Sequence, residues 1–389
     1  MSRFHSYLNS TATILSEYDG TQPFSLFLKR YFSRHKKFGS RDRRLIGDYC
    51  FFYFRLGNAF KERSMDERIL TGIFLCSTQP NRMLETHKPD WNERAGDELS
   101  EKLNFLGISE DELYRTLFPF YEFLSEGILH HAYARSFFTK PDVFLRIRPG
   151  KEASVRPRLK SAHIPFKEHG AFSLSVSPKE KIDQIFNVDS TLVIQDLSSQ
   201  RVGNVMRPVL EGKDLNVWDS CAASGGKSIL AYDINPKITL TVTDVRTNIL
   251  NNLSERFEKA GIDTYKSAVM DLSNPVEGVP GAPFDVIIAD VPCTGSGTWA
   301  RTPEQLFYFD EAKISEYASL QRTIIQNALP HLKKGGHLIY ITCSVFRQEN
   351  EENVTFIEEE LGLSKLSADI IAGYEVRADS MFASVFRKD

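Results

Sequence analysis

The sequence predicts an α/β protein whose largest part is a doubly wound, mainly parallel sheet, preceded by a helical region and a small α/β module. From about residue 189 onward, near-continuous apolar strands alternate with helical patterns, which is typical of parallel strands buried on both faces. Before about residue 138, apolar residues recur at three- and four-residue spacing, and the span between these regions reads as strand, helix, strand. We therefore divide the chain into 1–138, 139–188 and 189–389.

The composition is that of an ordinary globular protein, with 389 residues of which 41% are hydrophobic and 25% are charged. No apolar run approaches the roughly 18 residues that cross a bilayer, and the N-terminus MSRFHSYLNS lacks the apolar core of a signal peptide. The five cysteines form no CxxC pair and no cluster at metal-ligand spacing. We therefore expect a cytoplasmic, monomeric protein with free thiols, no metal and no membrane partner.

The helical region contains a cationic segment, LFLKRYFSRHKKFGSRDRRLI, in which aromatic residues are interleaved and Asp42 is the single acid. Such a segment can contact phosphates, because each neutralised phosphate releases counterions and adds affinity that does not depend on sequence. A solvated helical surface is an equally good interpretation, so both stay open. The cations of this segment are Lys29, Arg30, Arg34, Lys36, Lys37, Arg41, Arg43 and Arg44.

The small α/β module is also locally basic, although surface solubility is the better explanation for any single one of its cations. If they are exposed, these side chains extend a nucleic-acid path from the helical region towards the large sheet. The cations are Arg146, Arg148, Lys151, Arg156, Arg158 and Lys160.

The large sheet carries a glycine loop, CAASGGKS, between its first strand and the helix that follows. Gly225 and Gly226 allow the backbone to turn tightly and to approach a ligand. A triphosphate-binding loop would need glycine at position 221, where this chain has Cys221. The GGKS sequence therefore does not predict nucleotide triphosphate hydrolysis.

Three acids end successive strands of this sheet, Asp244, Asp271 and Asp290. Asp244 lies about 20 residues past the glycines, the spacing at which a carboxylate accepts hydrogen bonds from a ribose diol. A row of carboxylates also suits a nucleoside ligand whose other end is positively charged. Turn formation is the alternative interpretation for each acid alone, since Asp favours turns.

Two cysteines also follow strands of the sheet. Cys293 lies in DVPCTGSG, three residues after Asp290, where Gly295 and Gly297 leave room for a flat ligand. Cys343 ends the strand HLIYITCS, and the two strand ends can be neighbours, which places both thiols over one cavity. Each cysteine alone is also compatible with an inert buried thiol.

These motifs resemble those of the RsmB/Sun-type RNA cytosine-5 methyltransferases, whose hallmark loops read approximately CAAPGGKT, DxPCSGxG and TCS followed by ENE. Here they read CAASGGKS, DVPCTGSG and TCSVFRQENE, and the resemblance extends to IQDLSSQ, ARTPE and DSMFASVF. It covers the chain from about residue 190 to the end. It implies a Rossmann-like methyltransferase domain at 189–389, an RNA-recognition-like module at 139–188 and a helical, NusB-like RNA-binding extension at 1–138.

The resemblance implies that S-adenosylmethionine is the methyl donor and that Cys343 attacks carbon 6 of cytosine, while Cys293 assists breakdown of the adduct. Asp290 then contacts the cytosine edge and the donor, and Lys227 helps to position the base. Chemistry alone asks for one thiol near one acid, which would make Cys293 the nucleophile. The residues implied to hold the donor are Cys221, Ala222, Ala223, Ser224, Gly225, Gly226, Lys227, Asp244, Asp271 and Asp290.

Members with a helical extension of this kind act on small-subunit ribosomal RNA, which is the expected substrate. Alternatives are transfer RNA, DNA cytosine methylation and a catalytically silent RNA-binding assembly factor. This chain departs from the family pattern at Ser224, where proline is usual, and at Ile249, where arginine is common, although Arg246 is close by. Both departures concern the donor contacts and not the two thiols.

Overall fold

A computed structural model describes residues 3–389 as two compact units. The first unit contains the chain up to Glu122 together with Leu129–Lys140 and Trp299–Asp310. The second unit contains Phe123–Ile128, Pro141–Thr298 and Glu311–Asp389. The small α/β module and the large sheet thus share one unit, and the division into three domains stays a prediction.

The first unit is helical, as the apolar spacing predicts. Its core is rich in aromatic side chains, and Phe24 and Phe54 are at most 1% exposed with ring centroids 4.9 Å apart. All eight cations of the segment in α2, α3 and their connection are exposed to solvent. Its first nine helices are α1 (Arg3–Glu17), α2 (Phe24–Arg34), α3 (Ser40–Phe54), α4 (Met65–Cys76), α5 (Arg82–His87), α6 (Pro89–Glu93), α7 (Leu99–Leu106), α8 (Glu110–Leu117) and α9 (His130–Ser136).

The small α/β module forms an antiparallel four-stranded sheet in the order β2-β3-β1-β4. The predicted strand, helix and strand are present, and the sheet gains a short hairpin partner and a strand beyond residue 188. Its elements are β1 (Val143–Ile147), α10 (Glu152–Ser161), β2 (Phe166–Glu168), β3 (Ser173–Val176) and β4 (Leu192–Ile194).

Two of the cations predicted to extend a nucleic-acid path are not at the surface. Arg146 and Arg148 are 6% and 9% exposed, and both bind the carboxylate of Asp233. Burying a guanidinium requires a charge partner, and Asp233 supplies it. Both arginines therefore hold the structure together instead of forming the expected exposed path.

The large sheet has seven strands in the order β10-β11-β9-β8-β5-β6-β7. The strands from β9 to β7 pair in parallel, which confirms the predicted doubly wound architecture, while β10 and β11 add an antiparallel edge. Its strands are β5 (Asn216–Asp219), β6 (Thr239–Asp244), β7 (Tyr265–Val269), β8 (Phe284–Asp290), β9 (Leu332–Thr342), β10 (Leu363–Ile371) and β11 (Met381–Lys388).

Both faces of this sheet are buried, which explains why its central strands are apolar without interruption. Ile288 and Ile339 contribute to the core on one face, whereas Ile287 and Leu338 contribute to the core on the other face. Successive side chains of a strand point to opposite faces, so two cores need two apolar sets. The remaining helices are α11 (Leu197–Leu210), α12 (Gly226–Ile234), α13 (Thr247–Ala260), α14 (Pro303–Phe307), α15 (Ala312–Ala328) and α16 (Glu351–Glu359), of which α14 belongs to the first unit.

Within residues 3–389, no helix has the length and apolar character needed to cross a membrane.

Candidate active site

The carboxyl ends of four neighbouring strands meet at one edge of the seven-stranded sheet. In the order β9-β8-β5-β6, these strands end at Thr342, Asp290, Asp219 and Asp244. The chain adds β6 and β7 on one side of β5 and then continues with β8 on its other side, which makes the β5–β8 boundary a topological switch point. Ligands of doubly wound sheets bind at such a point.

The glycine loop turns tightly between β5 and α12. Ala222 N donates to Thr243 O at 2.9 Å, and Gly225 N donates back to Ala222 O at 2.8 Å. Gly225 has a φ of +83°, and a Cβ there would lie 2.7 Å from the ring of Phe257. Glycine is therefore required here both by the backbone conformation and by the packing of α13 against the loop.

Asp244 lies beside this loop with its side chain 6% exposed. Its Oδ2 accepts from Ala223 N at 3.0 Å, and its Oδ1 accepts from Arg246 N at 2.9 Å and from Arg246 Nε at 3.0 Å. Burial raises the pKa of Asp244, but these hydrogen bonds outweigh it and hold the pKa below its ordinary value. An ionised carboxylate at this position can accept the hydrogen bonds of a ribose diol.

The two departures from the family pattern have local partners. Ser224 accepts hydrogen bonds from Arg256 Nη1 through its carbonyl oxygen at 2.8 Å and its Oγ at 3.0 Å. Arg246, with 55% of its side chain exposed, is paired to Asp244, and it provides a guanidinium although position 249 is isoleucine. The loop is thus fixed by contacts other than those of the usual proline.

Asp271 follows the next strand, where it is exposed and accepts hydrogen bonds from Ser273 and Asn274. The hydrogen bonds from Ser273 lower its pKa.

Val245 and Val269 lie next to the strand-end acids and are 57% and 54% exposed, which sequence reasoning missed. Exposed apolar side chains beside carboxylates suit a flat nucleoside base. The signal was present in the sequence, since Val245 follows Asp244 directly and Val269 lies two positions before Asp271.

Asp219, at the end of β5, was also missed, although an acid immediately before a glycine loop was the available signal. It is fully buried; its Oδ2 accepts from Ser228 Oγ at 2.6 Å, and its Oδ1 has no hydrogen-bond partner among the described residues. Burial raises the pKa of Asp219 to about 7. Its unpartnered oxygen lies among the strand ends that the donor-binding prediction involves.

Lys227 and Asp290 form an ion pair at the switch point. Lys227 Nζ lies 3.0 Å from Asp290 Oδ2, and the two side chains are 7% and 30% exposed. Lys227 Nζ also donates to Ser199 Oγ at 2.9 Å, and Ser199 in turn accepts from Gln195 Nε2 at 3.1 Å. The IQDLSSQ motif at the start of α11 therefore fixes the lysine that contacts the predicted catalytic acid.

The two predicted thiols lie together at the ends of β8 and β9. Cys293 Sγ and Cys343 Sγ are 3.1 Å apart, and Cys343 N donates to Cys293 Sγ at 3.4 Å. The hydrogen bond with Cys343 and burial raise the pKa of Cys293 well above its ordinary value. The expectation for Gly297 was wrong, because a Cβ there would lie 2.0 Å from Ser380 O. This glycine allows backbone packing and does not leave room for a ligand.

Residues of the ENE sequence, to which sequence reasoning assigned no role, accept hydrogen bonds from the loops that carry the thiols. Glu349 is fully buried and accepts from Thr294 N at 2.8 Å, Thr294 Oγ1 at 2.6 Å and Gln321 Nε2 at 3.2 Å. Asn350 Oδ1 accepts from Thr342 Oγ1 at 2.6 Å. Burial raises the pKa of Glu349, while its donors oppose the rise. Glu349 thus holds the loop of Cys293, and the adjacent Asn350 holds the strand end that carries Cys343.

The donor side of this edge fits a nucleoside with a charged end. It offers the carboxylate of Asp244 for hydroxyl groups and the exposed pair Val245 and Val269 for a base. In the part of the chain described, no group of three His, Cys, Asp or Glu side chains is arranged to hold a metal ion. The fold is that of the Rossmann-like methyltransferase class, and the site is compatible with it.

Comparison with known proteins finds a family to which part of the chain is similar. Residues 205–369 match the model of the family described as 16S rRNA methyltransferase RsmB/F, so this part of the chain is similar to that family. The predicted resemblance is confirmed, and so is S-adenosylmethionine as the cofactor of this class.

Curated relatives match the same part of the chain. The probable ribosomal RNA small subunit methyltransferase B of Bacillus subtilis (strain 168) is 33% identical over 168 residues, which cover 43% of this chain and 37% of that protein. The ribosomal RNA small subunit methyltransferase B of Enterobacter sp. (strain 638) is 33% identical over 165 residues, covering 42% of this chain and 37% of that protein. The chain therefore aligns with little more than a third of the length of these relatives.

Solved structures share the fold at low sequence identity. The crystal structure of PH0851 has a TM-score of 0.71 and 19% identity, with 100% of both chains covered. NSun6 from Pyrococcus horikoshii with SFG has a TM-score of 0.58 and 17% identity, and the match covers 71% of this chain and 97% of that chain. These likenesses confirm the fold class.

Proposed function

We propose that this protein is an RNA (cytosine-5)-methyltransferase that acts on a cytosine of small-subunit ribosomal RNA. The observation that carries the proposal is the pair of thiols 3.1 Å apart beside the Lys227–Asp290 ion pair. The names of the curated relatives support the ribosomal substrate. S-adenosylmethionine, when bound, supplies the methyl group.

The chemistry needs a thiol because carbon 5 of cytosine is a poor nucleophile. In the proposed reaction the Cys343 thiolate forms a bond to carbon 6, which makes carbon 5 electron-rich enough to accept the methyl group. The short distance between the two sulfurs is compatible with this assignment, because one thiol of such a pair can keep its proton and donate a hydrogen bond to the thiolate of the other.

Asp290 and Lys227 are proposed to hold the cytosine edge during attack. Lys227 contacts Oδ2 of Asp290, and Oδ1 accepts no hydrogen bond from the residues described. That oxygen is available to the ring edge of the base, which must be oriented and polarised as carbon 6 is attacked.

Breakdown of the adduct reverses the first bond. Once carbon 5 carries the methyl group, its proton leaves to a base, the electrons of that bond form the carbon 5–carbon 6 double bond, and the bond to Cys343 breaks. We assign assistance in this step to Cys293, whose sulfur lies next to the departing sulfur.

The two thiols are expected to give opposite results when replaced. Cys293→Ala should accumulate a covalent adduct with RNA, whereas Cys343→Ala should form none and lose methyl transfer by at least about a thousandfold. The measurement is denaturing gel electrophoresis of protein with labelled ribosomal RNA, alongside methyl incorporation from the labelled donor.

Cys76→Ala is the matched control, because Cys76 is a free cysteine of α4 in the first unit. It should behave like the unchanged protein in both assays. The reverse pattern for Cys293 and Cys343 would assign attack to Cys293 and contradict the proposed roles.

The target cytosine should be unpaired or flipped out of its helix. Carbon 6 cannot reach the half-buried Cys343 thiol while the base is stacked, and extruding the base costs a few kcal/mol of lost stacking. Methylation of one sequence presented in a loop should exceed methylation in a fully paired stem, and equal turnover would contradict the prediction. Bisulfite sequencing of ribosomal and transfer RNA, with and without the protein, identifies the natural substrate.

A further inference from the structure

A cleft outside the thiol site lies between the small α/β module and the helices α11 and α12. It has a volume of about 460 Å³, within the range of small-ligand sites. Its walls come from the end of β1, the β2–β3 hairpin and the facing sides of the two helices. None of the three predicted catalytic residues lines it.

The wall of the cleft contains two polar atoms without partners. Arg146 Nη2 and Ser173 Oγ are buried and form no hydrogen bond with the described part of the chain. The residues are 6% and 8% exposed, and the other donors of Arg146 bind Gln195 and Asp233. Unsatisfied donors of this kind are uncommon, because each one costs about 1–3 kcal/mol. Both fit a ligand rich in hydrogen-bond acceptors.

The rim of the cleft combines an aromatic ring with cations. Phe172, at the tip of the β2–β3 hairpin, is 50% exposed. Arg201 and Arg207 on α11 are exposed, and Arg201 forms no ion pair with any of residues 3–389. An aromatic platform beside guanidinium groups is the combination that binds unpaired nucleotides, since bases stack on the ring and phosphates pair with the cations.

The cleft is joined to the thiol site by the start of α11. Gln195 Oε1 accepts from Arg146 Nε at 2.7 Å, and Gln195 Nε2 donates to Ser199 Oγ, which binds Lys227. Gln200, the next residue of α11, lines the cleft itself. The cleft and the predicted catalytic centre are therefore connected through the residues at the start of α11.

We propose that this cleft is a nucleotide subsite that holds one unpaired residue of the RNA strand next to the target cytosine. The assignment to the substrate strand rests on the proposed function. The base stacks on Phe172, the phosphate pairs with Arg201 and Arg207, and acceptor atoms of the nucleotide satisfy Arg146 and Ser173.

The test measures binding without methyl donor, so that it does not depend on turnover. The probe is a fluorescein-labelled RNA of twelve uridines, titrated with the full chain and followed by fluorescence anisotropy; uridine monophosphate and inorganic phosphate are separate arms. Phe172→Ala and Arg201→Glu change exposed side chains and should each weaken oligonucleotide binding about tenfold. The controls are Leu366→Ala, 56% exposed on β10, and Lys237→Glu, which is exposed just before β6.

The two controls should bind the oligonucleotide like the unchanged protein. The subsite is overturned if Phe172→Ala and Arg201→Glu bind normally, or if the controls lose as much affinity as they do. Uridine monophosphate or phosphate binding as tightly as the oligonucleotide would reassign the cleft to a free small molecule. If the variants lose oligonucleotide affinity while the unchanged protein transfers no methyl group to RNA, the subsite stands and the proposed function fails.

Discussion

The thiol half and the donor half of the sheet edge are built differently. Around the thiols, buried polar groups are saturated with partners, and Glu349 alone accepts three hydrogen bonds. On the donor side, Asp271 is exposed, Asp244 is paired with the partly exposed side chain of Arg246, and Asp219 keeps an unpartnered oxygen. The proposed covalent step needs fixed sulfur positions, whereas a cosubstrate has to enter and leave. The contrast predicts that changes in the two halves have different consequences.

Glu349 should show the largest effect, because it holds the Cys293 loop from behind. Glu349→Ala leaves the donors of Thr294 and Gln321 unsatisfied, which should lower the free energy of unfolding by about 3 kcal/mol. Adduct formation should fall about a hundredfold because the sulfur atoms are no longer held together. Urea unfolding and the adduct assay measure the two effects.

Glu349→Gln is the control that keeps the size of the side chain and one acceptor for Thr294 N. It should recover part of the lost stability and part of the lost adduct formation. If Glu349→Ala forms the adduct at the normal rate, the bracing of the thiol loops has no role in the reaction.

Asp219 is the buried acid of the donor half and should make stability depend on pH. Its pKa is about 7 in the folded protein, above that of an unfolded aspartate, so the folded state favours the protonated form. The associated stability is fully present below the unfolded pKa and is lost as the pH rises through 7. From pH 5 to pH 8 the unchanged protein should lose about 3 kcal/mol relative to Asp219→Asn.

Urea unfolding of both proteins at the two pH values tests this prediction. A constant difference between Asp219→Asn and the unchanged protein would show that Asp219 does not titrate in this range.

Asp244 should show the smallest effect, confined to donor binding. Asp244→Ala removes a charged acceptor and should weaken S-adenosylmethionine binding about tenfold, as measured by calorimetry. The adduct assay at saturating donor should change little, which separates the two halves. Arg246→Ala is the matched variant, because it frees the carboxylate from its ion pair and should leave donor affinity within about threefold of normal. A larger loss in Arg246→Ala than in Asp244→Ala would make the guanidinium the donor contact.

The fold could be predicted from the sequence because local sequence patterns indicate its strands and helices. Uninterrupted apolar runs such as FDVIIAD mark strands buried on both faces, and the spacing of acids and glycines marks their carboxyl ends. The closing β10–β11 pair escaped prediction, since an antiparallel edge on a parallel sheet leaves no distinctive spacing.

The partners of charged residues could not be predicted from the sequence, because they lie far away along the chain. Arg146 and Arg148 looked like surface cations, but both bind the carboxylate of Asp233. This residue is 87 positions from Arg146 and 85 positions from Arg148 in the sequence. Glu349 likewise binds Thr294 across 55 positions. Periodicity reports which face of an element is buried, not which side chain it meets there.

The separation of 3.1 Å between Cys293 and Cys343 has a practical consequence. Although 50 positions apart in the sequence, the two sulfurs form a vicinal dithiol in space. Joining them by oxidation would remove at once the two groups proposed to attack the base and to release the adduct. Preparations kept in a strong reductant therefore retain both thiols. The loss of two titratable thiols on exposure to air indicates that the two cysteines have formed a disulfide.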